Sequence, residues 1–147
     1  MLGLFSFMKG EYKMLKKTIT YMDYNDQERT ETFYFHLSEA EIAEMELSTK
    51  GGLQETLKRI IDSKDIQELS KLFKNLILKS YGVKSPDGRT FIKNEEVLND
   101  FIQTPAYSDL YMELATNADA AINFVLGLLP KKLVDNIPQE EIDKLKQ

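Results

Sequence analysis

"IQELSKLFKNLILKSY", residues 66–81, has the clearest hydrophobic period in the chain. Its inward set recurs at intervals of three and four residues: Leu69, Leu72, Phe73, Leu76, Ile77 and Ser80. Those intervals predict an amphipathic helix over 66–81 that buries one continuous stripe. Gly82 follows directly, and a glycine just past a helix is typical of the left-handed residue that ends it.

Further helices are predicted on both sides of this one. Polar residues suited to capping a helix stand ahead of three of them: Ser38, Asn94 and Thr104. Ser38 also lies three residues before Glu41, and the two together make a capping box. Gly51 and Gly52 interrupt the chain before a helix predicted over 53–63. The last helix, "ADAAINFVLGLLP", is apolar almost all round, so the protein has to bury it.

The segment before these helices has the composition of β-structure. Residues 17–37, "KTITYMDYNDQERTETFYFHL", are rich in β-branched and aromatic residues and are interrupted by "NDQE", which predicts a β-hairpin. Alternation places one apolar set on a shared face: Ile19, Tyr21, Phe33, Phe35 and Leu37. Because a lone hairpin is marginal in water, this face should pack on the helices. The predicted fold class is therefore mainly α (α+β), an N-terminal β-hairpin packed on a bundle of about five or six helices.

The composition predicts one domain and excludes two kinds of chemistry. The chain has 147 residues, of which 42% are hydrophobic, enough to bury a core of its own. Its net charge is −5 and no window is rich in lysine and arginine, so no nucleic-acid partner is expected. Since the chain has no cysteine, it has no disulfide framework and no thiolate nucleophile.

The two ends of the chain differ from the middle. Residues 1–14 form an apolar N-terminal arm, 15–133 the single globular domain and 134–147 a charged C-terminal tail. The apolar residues of the arm include Leu2, Leu4, Phe5 and Phe7. This run is far shorter than the roughly 20 residues of a membrane span, so no membrane partner is expected. The arm is either a disordered tail or an added strand, or else a segment that docks on a partner or a neighbouring copy.

No residue pattern in the chain is typical of catalysis. "SPDG", residues 85–88, suits a type I turn, and it lacks the glycine spacing ahead of a lysine that a phosphate loop needs. His36 is the only histidine, which excludes a two-histidine metal site; it is predicted as a surface strand residue, with a lone general base as the alternative. Glu41 and Glu44, three residues apart on a helix, indicate a solvated face in preference to paired carboxylates.

Three long stretches together resemble the small tail assembly chaperones of long-tailed (siphovirus-type) phages and prophages. They are "KKTITYMDYNDQERTETFYFHLSEAEIAEMELSTKGGL", "LKSYGVKSPDGRTFIKNEE" and "AYSDLYMELATNADAAINFVLGLLP". The resemblance runs from about residue 16 to residue 133 and rests on motifs in a fixed order: the hairpin, "ELS", the glycine pair, "SYG", "SPDGR" and "ELATNADAA". The apolar segment 1–14 departs from the family pattern.

This resemblance implies a protein of the host cytoplasm with no enzymatic activity and no cofactor. It implies that the chain binds the tape-measure protein and helps to recruit tail tube subunits. Association with other copies of the chain is a further expectation. The alternative is a structural tail or connector component that is retained in the virion.

Two neighbouring helices supply the predicted protein-binding residues: Tyr107, Tyr111, Phe124 and Leu128. Tyr107 and Tyr111 lie four residues apart on one helix face, either as part of a core stripe or as an interface pair. Phe124 and Leu128 come from the late helix whose apolar excess motivates the choice. The expected partner of this surface is the tape-measure protein or a second copy.

A longer form of the chain is also an expected partner, because chaperones of this kind are often extended by a ribosomal frameshift near the end of the reading frame. Adjacent lysine codons in "PKK", residues 130–132, offer one place for such a shift. A shift there would keep the folded domain and replace only the charged tail. An ordinary helix stop followed by a solvated tail is the alternative interpretation.

Overall fold

The computed structural model describes residues 14–63 and 65–129, which form four strands and six helices. In chain order these are β1 (Leu15–Met22), β2 (Glu28–Phe35), α1 (Glu39–Ser48), α2 (Gly52–Ser63), α3 (Ile66–Ser80), β3 (Tyr81–Lys84), β4 (Phe91–Ile92), α4 (Glu95–Ile102), α5 (Pro105–Thr116) and α6 (Ala118–Leu128). The predicted α+β class, with a hairpin packed on helices, is confirmed. The apolar residues of the arm, the segment 130–132 and the tail 134–147 lie outside the described residues.

The strands form one antiparallel sheet in the order β1-β2-β3-β4. β1 and β2 pair along their whole length, from Leu15 opposite Phe35 to Met22 opposite Glu28. The predicted inward set is buried on the face that meets the helices: Ile19, Tyr21, Phe33, Phe35 and Leu37. On the other face, threonine hydroxyls pair across the two strands.

Local signals fix the starts of three helices where the sequence predicted them. The Ser38 hydroxyl accepts a hydrogen bond from the Glu41 backbone N–H at 3.1 Å, and the Glu41 carboxylate accepts one from the Ser38 N–H at 2.9 Å. The Asn94 side chain caps α4 by accepting from the Val97 N–H, and the Thr104 hydroxyl caps α5 by accepting from the Tyr107 N–H. These caps satisfy backbone donors that a helix leaves without an internal partner, so each helix starts at a defined residue.

The apolar stripe of α3 is buried except at one position. Leu69, Phe73, Leu76, Ile77 and Ser80 are all in the core. The expectation that Leu72 would be fully buried is wrong, because this residue lies on the flank of the stripe and is only partly covered. It lines a small apolar crevice with residues of α1, α2 and the end of α6.

The role predicted for Gly82 is also wrong. Helix α3 ends at Ser80, and Tyr81 turns to an extended conformation with φ −65° and ψ 140°. The chain then enters β3, where Tyr81 and Gly82 pair with Phe35 and Tyr34 of β2. Gly82 is needed for close approach and not for a left-handed turn: a Cβ there would lie 2.6 Å from the Phe91 ring. Sheet pairing and burial of Tyr81 therefore outweigh the local glycine signal.

The predicted turn at residues 85–88 connects β3 to β4. The Gly88 N–H donates to the Ser85 carbonyl at 2.9 Å, which closes the turn. The Asp87 carboxylate accepts from the Ser85 hydroxyl at 2.6 Å and from the Arg89 N–H at 3.1 Å. These bonds close the loop, and the prediction of a turn at residues 85–88 is confirmed.

Leu76→Ala tests the buried stripe of α3. Leu76 is 1% exposed, so its truncation is expected to lower the free energy of unfolding by about 2–5 kcal/mol. Chemical denaturation measures the change. Lys74→Ala, at an exposed site on the same helix, is the control and should change stability by less than about 0.5 kcal/mol. Equal effects of the two variants would contradict the packing of α3.

Gly82→Ala tests the close approach of β3 and β4. The new methyl group would meet the Phe91 ring and the Ile92 carbonyl oxygen, the latter at 2.9 Å, and is expected to cost about 1–3 kcal/mol of stability. Gly127→Ala is the control, because a Cβ there meets only Leu15 at 3.4 Å and should raise stability by about 0.4–1 kcal/mol. A Gly82→Ala protein as stable as the parent would contradict the β3–β4 packing.

Candidate protein-binding surface

The structure divides the four predicted binding residues into two classes. Tyr107 and Tyr111, on α5, are half-buried and keep part of their rings accessible. Phe124 and Leu128, on α6, are each 4% exposed and lie in the core. The two tyrosines, called the tyrosine pair below, are therefore the members of the set that are accessible at the surface.

A chain of aromatic rings connects three of these residues through the core. The ring centroids lie 5.3 Å apart for Phe124 and Phe35, 6.0 Å for Phe35 and Phe101, 5.6 Å for Phe101 and Tyr107, 6.3 Å for Tyr107 and Tyr111, and 5.7 Å for Tyr111 and Phe73. Such tilted and edge-on contacts are favourable for aromatic side chains. The tyrosine pair is thus the outer end of an aromatic cluster rooted in β2, α3, α4 and α6.

Burial of Tyr107 and its contact with Tyr111 disfavour the ionised form of its hydroxyl. Burial raises the pKa of the Tyr107 hydroxyl above its ordinary value, and the neighbouring Tyr111 adds to the effect. An uncharged tyrosine presents an apolar ring together with a hydroxyl that donates or accepts a hydrogen bond. This combination is enriched at protein interfaces.

A groove beside α4 is a second accessible surface, which the sequence analysis missed. It has a volume of about 670 Å³ and is lined by Tyr81, Val83, Glu96, Val97, Asn99, Asp100 and Gln103. Val83 pairs with Ile92 across β3 and β4, and the two side chains are 41% and 37% exposed. The charged lining residues, Glu96 and Asp100, are both acidic. No local sequence pattern marks this surface, because the groove forms where α4 packs beside β3.

Tyr81 links this groove to the aromatic cluster. Its ring stacks on Phe101 with centroids 4.1 Å apart and planes 15° apart. Burial raises the pKa of the Tyr81 hydroxyl, and the charges of Asp100 and Glu31 raise it further. The groove floor is therefore a neutral, packed ring beside acidic side chains.

Lys93 joins the end of the sheet to the first turn of α1. Its ammonium group donates to the Glu41 carboxylate at 2.7 Å and to the His36 carbonyl oxygen at 2.6 Å, which ties the segment after β4 to α1. Burial of the Glu41 carboxyl opposes its ionisation, but bonds from Lys93 and from the Ser38 backbone outweigh that effect and lower its pKa. This contact therefore has a structural role.

His36 was predicted to be a surface strand residue, but it lies one residue past the end of β2 and is half-buried. Its ring meets Phe91 edge-on with centroids 5.7 Å apart. Burial lowers the pKa of the imidazole, and the positive charge of Lys93 lowers it further. These contacts are those of a packed side chain in the segment between β2 and α1.

Within the described ranges 14–63 and 65–129, no group of three or more histidine, aspartate or glutamate side chains is placed to hold a metal ion. None of the helices in those ranges combines the length and the apolar character that crossing a membrane requires.

A protein-family model described as phage tail assembly chaperone matches residues 14–147. The chain belongs to this family. The match covers both accessible surfaces of the chaperone, and the apolar segment 1–13 lies outside it. Neither a curated protein nor a solved structure matches the chain.

Family membership confirms the resemblance that the sequence motifs indicated. The hairpin, the capped helices and the 85–88 turn of this tail assembly chaperone all fall within the matched range. The chaperone therefore has a role in phage tail assembly.

Proposed function

We propose that this tail assembly chaperone works in the host cytoplasm, where it binds the tape-measure protein and helps to recruit tail tube subunits. The observation that carries the proposal is the tyrosine pair: two half-buried aromatic side chains on one helix face of a family member. A chaperone has to cover apolar surface of its client, and partly exposed tyrosine rings provide the matching contact.

The packing beneath the pair favours tight binding at low entropic cost. Tyr111 is held against Phe73, and Tyr107 against Phe101, so both rings are already ordered before a partner arrives. A side chain ordered in advance loses little rotamer freedom on binding. The pair thus behaves as a preorganised anchor.

Phe124 and Leu128 take part in the proposed surface as its buried support. Both lie on α6, which packs directly against α5. Their burial fixes the position of α6 and, through it, the face of α5 that carries the pair. We therefore assign contact to Tyr107 and Tyr111 and support to Phe124 and Leu128.

The longer frameshifted form is included in the proposal as a partner. The candidate shift at residues 130–132 comes directly after Leu129, where the described part of the chain ends. A shift there would leave the tyrosine pair and the α4 groove common to both forms. The two products would then share the same client-binding surface and differ only in their C-terminal segments.

Tyr111→Asp tests the proposed surface in co-expression with fragments of the tape-measure protein from the same phage. A charge placed on the rim of the aromatic cluster is expected to reduce the retained fragment by about tenfold or more, the loss typical of an interface anchor. Met112→Asp is the matched control, since the adjacent Met112 is 53% exposed and lies outside the ring contacts that order the pair.

Circular dichroism and thermal melting establish that the Tyr111→Asp protein is folded. Tyr107→Ser provides a second variant that removes a ring without adding a charge. Folded Tyr111→Asp and Tyr107→Ser proteins that retain the fragment as well as the parent does would show that the client binds elsewhere.

A further inference from the structure

Strand β1 leaves one long edge of the sheet open. It pairs with β2 on one side, and within residues 14–63 and 65–129 no strand pairs with its other side. β1 has eight residues in continuous register with β2, whereas β4, at the other edge, has two. A long, regular edge is a ready template for another strand.

Two backbone hydrogen bonds identify which groups of β1 face that edge. The Asp23 N–H donates to the Gln27 carbonyl at 2.9 Å, so odd-numbered residues of β1 bond to β2. Just past β2, the His36 N–H donates to the Ser80 carbonyl at 2.8 Å. The even-numbered residues of β2 therefore bond toward β3, and its odd-numbered residues bond to β1. The outward N–H and C=O groups of β1 therefore belong to the even-numbered residues: Lys16, Thr18, Thr20 and Met22.

The edge has only one of the features that normally block strand addition, charged side chains, and it has them at one end only. β1 has no proline, no bulge and no acidic residue, and its charged residues, Lys16 and Lys17, lie together near its start. Lys17 also forms an ion pair with Glu113 of α5 at 3.3 Å. From Thr18 to Met22 nothing repels an incoming strand.

The strand is also held rigidly in the conformation that pairing needs. Ile19 and Tyr21 are buried against the helices. On the solvent face, the hydroxyls of Thr18 and Thr32 lie 2.9 Å apart, as do those of Thr20 and Thr30. A second strand would therefore meet a preorganised backbone.

We propose that the β1 edge pairs antiparallel with the β1 edge of a second copy, about a two-fold axis at Thr18, to give a homodimer with one continuous eight-stranded sheet, four strands from each copy. This inference does not depend on tape-measure binding.

The charge pattern of β1 disfavours axes at its two lysines and is compatible with an axis at Thr18. Residues that oppose each other across an antiparallel pair must face the same side of the sheet, so the axis has to pass through a residue. Axes at Lys16 or Lys17 would place a lysine opposite its own copy, which is unfavourable. An axis at Thr18 places Lys16 opposite Thr20 and Lys17 opposite Ile19 of the second copy, and it pairs residues 14–22 of each chain. The basic half of each strand thus faces the uncharged half of the other.

Disulfide trapping tests the axis directly, because the chain has no cysteine. In the proposed dimer, the two Thr18 Cα atoms are about 5.5 Å apart, within disulfide range. The Thr18→Cys variant of the full chain should oxidise to a covalent dimer. Thr20→Cys, two residues along the same edge, and Thr32→Cys, on the adjacent strand, are matched controls that should stay uncross-linked. Cross-linking at Thr20 in place of Thr18 would overturn the register.

Light scattering coupled to size exclusion measures the association itself. The parent should have twice the 17.0 kDa monomer mass. Thr18→Pro removes one outward N–H and no β1–β2 bond, so it should weaken dimerisation about tenfold or more, whereas Thr18→Val keeps the N–H and should remain dimeric.

A second pair of variants covers the case in which Thr18→Pro does not fold. Thr18→Lys places like charges at the axis and should give monomers that added salt returns to dimers, and Thr32→Lys, one strand inward, should remain dimeric. A monomeric parent across roughly 1–100 µM would overturn the proposal and indicate that another occupant, such as residues 1–13 or a strand of a different protein, takes the edge. A dimer that persists in both Thr18→Pro and Thr18→Lys would overturn it as well.

Discussion

The packing of Phe35 against three other aromatic rings joins the sheet to the helices. Phe35 is fully buried on β2, and its ring meets Tyr81 of β3 at 5.8 Å, Phe101 of α4 at 6.0 Å and Phe124 of α6 at 5.3 Å. A two-stranded hairpin has too little buried surface to be stable alone. These contacts supply that surface, so the hairpin, the β3–β4 extension and the late helices depend on one another.

Both accessible surfaces take their shape from the same cluster. The tyrosine pair lies at the outer end of the ring contacts that run through Phe101, and the stacked ring of Tyr81 forms part of the α4 groove. The β1 edge is held in place because Ile19 and Tyr21 are anchored in the same core. A client, a second copy or a tail protein would therefore meet surfaces that are already ordered, which reduces the entropic cost of association.

The elements predicted from sequence are those with local causes. The capping box at Ser38 and the period of α3 need only neighbours along the chain, and both appear as predicted. Gly82 was misassigned because a glycine after an amphipathic helix has the same local signal whether the chain turns or enters a strand. Its pairing with Tyr34 is decided by residues far away in sequence. Likewise, the apolar α6 had to be buried, but its sequence does not say whether its own core or a partner covers it; the structure places Phe124 in the core. The α4 groove is equally non-local.

Native-state amide hydrogen exchange tests most directly whether the aromatic cluster makes the sheet and helices one cooperative unit. The amides of Phe33 in β2, Phe101 in α4 and Phe124 in α6 should exchange with a common opening free energy, equal to that of global unfolding. Phe35→Ala should lower all three together by about 3–5 kcal/mol. The account would be contradicted if the β2 amide opened at a much lower free energy than the helical amides, or if Phe35→Ala lowered only the β2 value.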